Sequence, residues 1–194
     1  MFFGMTRTAL YQSECFASAR LFGFGMNLHP FFQWLQGTGG SVAIRESTLL
    51  YPMIETSHVL MLCLFLGMIA MVDLRLLGIG LRGIPVSQVA GRLLPLAAAG
   101  FALMTFSGML LFYSGPVRAS GNIFFRIKMV MIVLAGMNAL LFHFTIYRRV
   151  LDWDCDPMPP LRARLAGFCS LLLWSGVVIC GRMQAYNWFD KARG

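Results

Sequence analysis

Few residues of this chain can do chemistry, and most of those stand inside apolar runs. Glu55 and His58 are three residues apart, a spacing that puts two side chains on one face of a helix. Lys128 and Arg182 lie in two other apolar runs, with Arg126 just before Lys128 and Asn138 farther along the same run. An ionisable group in lipid is costly unless it is paired or has a task, so each is a candidate functional residue. Depth follows from a helical rise of about 1.5 Å per residue. On that measure Glu55, Ser107, Lys128 and Arg182 form a layer near one end of the spans, here called end A. His58 lies nearer the midplane with Met104 and Thr105, and Trp174 and Asn138 lie deeper.

Two kinds of chemistry suit this set. One acid and two bases can form a buried ion-pair cluster that fixes helix packing. They can also line a pocket with surplus positive charge, suited to a carboxylate, a haem propionate or a quinone head group. The His58 imidazole can ligate haem iron or copper, with Met104 or no second ligand, or relay protons. Its structural alternative is a neutral ring hydrogen-bonded to Thr105 or Asn138. His143 falls near the opposite end, B, close to Arg148 and level with Asp73, where a His–Asp contact is expected. His58 and His143 are roughly 12–16 Å apart along the membrane normal, so one haem held by both is not expected. Met61, Met68 and Met71 recur at helical spacing and read as packing residues before copper carriers. Asp152, Asp154 and Asp156 read as a solvated loop, without the spacing of a calcium loop.

The elements that position these groups are four apolar runs, Leu49–Val72, Leu93–Tyr113, Ile123–Tyr147 and Leu165–Tyr186, each near the 20 residues a membrane span needs. Pro95 is placed in the first turn of the second. Loops are expected over 73–92, 114–122 and 150–161. The aromatic-rich His29–Gln36 is too short to span and reads as a helix lying in the interface. Hydrophobic residues make up 58% of the 194, charged residues 12%, and mean hydropathy is +0.69. That excludes a disordered chain, a disulfide scaffold and an ordinary soluble enzyme. The five cysteines show no CxxC spacing. No nucleophile–base pair or phosphate loop is present. The net charge of +8 sits mostly at the ends of apolar runs, which suits lipid head groups and not nucleic acid.

The sequence therefore predicts an all-α integral membrane four-helix bundle with an N-terminal interfacial amphipathic helix. Residues 1–47 form a tail and that helix, 48–186 the four spans and 187–194 a C-terminal tail. Ala17-Ser18-Ala19 is a poor cleavage signal because Gln12, Ser13 and Glu14 interrupt the run before it, and Met26 is an alternative start. Four spans put both termini on one side, assigned here as periplasmic.

Several motifs carry a resemblance. They are Arg45-Glu46-Ser47, Tyr51-Pro52, Glu55-Thr56 with His58, Asp73-Leu74-Arg75-Leu76-Leu77-Gly78, Phe125-Arg126-Ile127-Lys128, Asn138 with Phe142-His143, and Gly181-Arg182 with Ala185-Tyr186. Together, over residues 30–186, they resemble a bacterial family of small four-helix inner-membrane proteins of uncharacterised function. In helix count and intramembrane histidine the chain is also loosely similar to copper-resistance D-type membrane proteins and small b-type cytochromes. The resemblance implies the fold and points to the same polar residues, without supplying an activity.

Three functions follow as expectations. The first is a redox-linked membrane subunit holding haem b or quinone among Glu55, His58, Lys128 and Arg182, with Asn138 and Arg126 nearby. The second is transport of copper or a small anion. The third is a structural or assembly subunit. The partners expected are membrane lipids and either other membrane subunits or a second copy of the chain.

Overall fold

The structure is a computed structural model describing residues 28–156 and 158–186. The described residues are helical, with no strand. The expected tails at 1–25 and 187–194 lie outside them. Two short helices come first, α1 (His29–Gln36) and α2 (Gly39–Glu46). Then come α3 (Leu50–Leu77), α4 (Val86–Ser114), the short α5 (Pro116–Gly121), α6 (Ile123–Leu141) and α7 (Leu161–Tyr186). A π turn (Phe142–Ile146) and a 3-10 turn (Tyr147–Asp152) carry α6 onward, so its apolar stretch runs Ile123–Asp152. The four long segments, of 26–30 residues, are apolar enough to cross a membrane. At about 1.5 Å per residue they exceed a hydrocarbon layer of about 30 Å.

The spans do not pack in chain order. α3 lies between α4 and α7, and α7 between α3 and α6; among the described residues α4 and α6 have no close backbone approach. The row is thus α4–α3–α7–α6. Its midsection is an aromatic knot in which Trp174 sets its ring edge-on to Phe65 at 4.6 Å and lies 6.1 Å from Phe101. At end A, α1 and α2 cap the tip of α4. The Thr38 hydroxyl pairs with the Tyr113 hydroxyl at 2.6 Å, and buried Ser41 donates to the Tyr113 carbonyl at 2.8 Å. Phe31 and Trp34 of α1 remain exposed, as an interfacial helix requires.

End B departs from expectation because two of its charged side chains, Arg75 and Asp154, are structural. α3 does not stop at Val72. It continues to Leu77, and Arg75, only 1% exposed, reaches three backbone carbonyls: Nε donates to Ile84 at 2.7 Å, Nη2 to Asp154 at 3.3 Å and Asp156 at 3.2 Å. Gly78 then ends the helix in the left-handed conformation, φ 71°, which glycine enters without a Cβ clash. α4 starts at Val86, ahead of the expected Leu93. Pro85 leads into it, and the Asp154 carboxylate accepts the Ser87 N–H at 2.6 Å and the Ser87 hydroxyl at 2.5 Å. Those first-turn donors would otherwise lack partners. The expected loop 73–92 therefore shrinks to 78–85, and Pro95 falls inside α4, not in its first turn. The acidic loop is only partly solvated, because Asp154 is bonded and Trp153 is buried with Val72, Leu76, Val86, Val89, Val150 and Ala163. The turn expected over 114–122 contains α5.

Candidate functional site

His58 is the best-positioned polar side chain in the end-A half. It leaves α3 toward α4, where Nδ1 lies 3.0 Å from the Met104 carbonyl and 3.0 Å from Ser107 Oγ. A carbonyl only accepts, so Nδ1 carries the hydrogen, and in the neutral ring Nε2 is left as a bare acceptor. Ser107 turns its own hydroxyl to the Leu103 and Met104 carbonyls, each at 3.0 Å. Gly108 gives the ring its room, since a Cβ there would stand 3.1 Å from His58 Cε1. The partners are thus Met104 and Ser107, not the expected Thr105 or Asn138. Sequence depth had put Ser107 one layer away from His58. The small Ser107-Gly108 pair was the signal that a bulky side chain from another helix seats there.

Lys128 approaches from α6. Its ammonium donates to Gln184 Oε1 of α7 at 3.2 Å and stands 5.1 Å from the centre of the Phe125 ring. Gln184 was not anticipated; an amide in the last turns of an apolar span was its only trace. Phe125 in turn stacks on Phe112 of α4 at 5.5 Å, a ring contact that bridges α4 and α6. The charges of Lys128 and Glu55 are both close enough to act on the His58 ring.

The other expected members are dispersed. The ion-pair cluster does not form among the described residues. Glu55 is exposed, Arg182 is exposed with its guanidinium 5.7 Å from the Tyr186 ring centre, and exposed Arg126 donates to the Ser120 carbonyl at 3.1 Å. Long cationic side chains near span ends reach the interface in this way. Asn138 donates to the Ala166 carbonyl of α7 at 3.0 Å and locks α6 to α7 away from His58. Replacing Asn138 by Leu should cost about 0.6 kcal/mol, the usual worth of such a bond in lipid, read as a small fall in melting temperature with ligand binding unchanged. The expected His143–Asp73 contact is absent too. His143 is exposed and stacks on Tyr147, whereas Asp73, 5% exposed, faces Ser170 of α7 and keeps one carboxylate oxygen buried without a partner.

Between α3 and α4 a groove of about 300 Å³ is lined by Met53, Ile54, Ser57, Met61, Leu103, Phe106, Ser107 and Leu110. Ser107 belongs to both this lining and the imidazole contact, so an occupant lies one hydroxyl from His58. Met104, the expected second ligand, gives His58 its carbonyl while its side chain is buried with Phe65 and Ala97; no group of three or more His, Cys, Asp or Glu side chains occurs among the described residues.

Four apolar spans around a polar seat at one end fit a multi-pass helical membrane protein. The chain belongs to a family of unknown function (DUF6644), whose model matches residues 24–187. No curated protein and no solved structure matches it. The looser likeness to copper-resistance and cytochrome proteins therefore rests on helix count and an intramembrane histidine alone.

Proposed function

We propose that the protein is a quinone-binding subunit of the bacterial inner membrane, with the quinone head group held between His58 and Lys128. One observation carries this: Nδ1 of His58 is tied to a backbone carbonyl, leaving Nε2 as an acceptor, and the Lys128 ammonium, whose partners are an amide and an aromatic face, lies within electrostatic reach of the ring. A quinol hydroxyl donates to such a nitrogen, and a quinone carbonyl accepts from such an ammonium. The neighbouring apolar groove suits the tail that keeps a quinone in lipid. Haem b is the weaker choice because His58 lacks a second ligand at its depth. Among the described residues five exposed arginines stand at end B (Arg82, Arg92, Arg148, Arg149 and Arg162) and four at end A (Arg45, Arg118, Arg126 and Arg182), a slight bias toward a cytoplasmic end B and periplasmic termini.

The test is the quinone content of purified protein, extracted with organic solvent and resolved by chromatography. Wild type should retain close to one quinone per chain, and His58→Ala should retain little. The proposal fails if His58→Ala keeps the wild-type content. It also fails if folded wild type carries none and binds no decyl-quinone in nanodiscs.

A further inference from the structure

We propose that end B carries a binding site for the phosphate of an anionic phospholipid, in the recess between the 78–85 loop and the first turns of α4. The recess is about 200 Å³ and is lined by Leu81, Ile84, Gln88, Val89, Arg92 and Leu93. Gln88 and Arg92 are four residues apart on α4 and so share a face; the other four residues are apolar. The run Leu93–Tyr113 spans about 30 Å, the thickness of the hydrocarbon layer. Arg92 therefore stands where hydrocarbon meets head groups, at the depth of lipid phosphates. It is exposed, and a guanidinium offers a phosphate two parallel donors.

A second charge lies behind the recess wall. Ile84, which lines the recess, gives its carbonyl to Arg75 Nε at 2.7 Å. The other acceptors of Arg75 are also backbone carbonyls, and its Nη1 is buried without a partner. The guanidinium's direct contacts are neutral dipoles, and the Asp154 carboxylate on Ser87 at the same corner offsets part of its charge, so Arg75 adds to Arg92 only in part. The apolar lining identifies the source of the phosphate. Leu81, Ile84 and Leu93 offer nothing to a free phosphate ion but cover the upper part of an acyl chain. The site lies at the opposite end of the spans from His58 and does not depend on quinone binding.

The experiment uses the full chain in phosphatidylcholine nanodiscs, with phosphatidylglycerol or inorganic phosphate added. Readouts are melting temperature and lipid adducts in native mass spectra. Phosphatidylglycerol should raise the melting temperature of wild type and leave a one-lipid adduct, while inorganic phosphate does neither. R92Q should bind about tenfold more weakly, the loss of one charge-assisted contact. R149Q, which removes an exposed end-B arginine outside the recess, should bind as wild type does. Equal losses in R92Q and R149Q would mean diffuse attraction and overturn the site. A shift with inorganic phosphate alone would overturn the lipid assignment.

Discussion

Arg75→Leu should leave less folded protein. The substitution keeps an apolar stem but strips the part-buried carbonyls of Ile84 and Asp156 of the Arg75 donor and leaves the Asp154 carbonyl with the Val86 N–H alone. An unsatisfied buried acceptor costs about 1–3 kcal/mol, so two part-buried ones sum to about 2–3 kcal/mol. That is a sizeable share of a stability of about 5–15 kcal/mol. The loss also spreads, because the same carbonyl of Asp154 and its neighbours hold the turn that places the Asp154 carboxylate on Ser87 and starts α4. Arg75→Lys should recover only part of it, since one ammonium cannot follow the fork from Ile84 to Asp156. Monodisperse yield in detergent and melting temperature are the readouts. If Arg75→Leu melts with wild type, Arg75 does not hold this end together.

Lys128→Met should separate stability from binding. The Lys128 ammonium is half-buried in a span, and its contacts are Gln184 and the Phe125 ring. A charge at the bilayer centre costs about 3 kcal/mol on insertion scales, and less toward the ends. Methionine keeps the length and the contact with Phe125, so the variant should gain about 1 kcal/mol and melt a few degrees higher. Retained quinone should fall about tenfold, the worth of one charged hydrogen bond. A more stable variant that has lost its ligand is the signature of a residue kept for function. A less stable variant with normal quinone content would make Lys128 a packing residue.

The spans were legible in the sequence because lipid imposes a simple rule: about 20 apolar residues in a row. All four appear, as does the interfacial α1. The ends were misjudged wherever a charge was taken as a stop signal. Asp73 and Arg75 look like the edge of a span, yet both are buried; backbone carbonyls take the place of water around Arg75, and Asp73 faces Ser170. The glycine-bearing α2 was not anticipated either; it is held by Ser41 against Tyr113, a contact with no local sequence signal.

The candidate site was half legible. Depth along a helix is linear in sequence and singles out His58 and Lys128 as polar groups within spans. Azimuth is not, because it depends on which spans are neighbours, and these pack out of chain order. Glu55 and Arg182 matched in depth, yet Glu55 is exposed and Arg182 turns to Tyr186. Asn138 likewise pairs with the adjoining α7 and takes no part in the site.

The order α4–α3–α7–α6 makes the molecule two helical hairpins placed back to back. α3 with α4 is one, α6 with α7 the other, and the α3–α7 seam, with Phe65 on Trp174 and Asp73 on Ser170, joins them. Each hairpin is contiguous in the chain, so the first can close before the second leaves the ribosome. Each also brings one half of the proposed seat, His58 with the first and Lys128 with the second. A gene split at the α5 turn would give two fragments, each with its own hairpin contacts. Neither alone could form the seat, which would arise only when they dock.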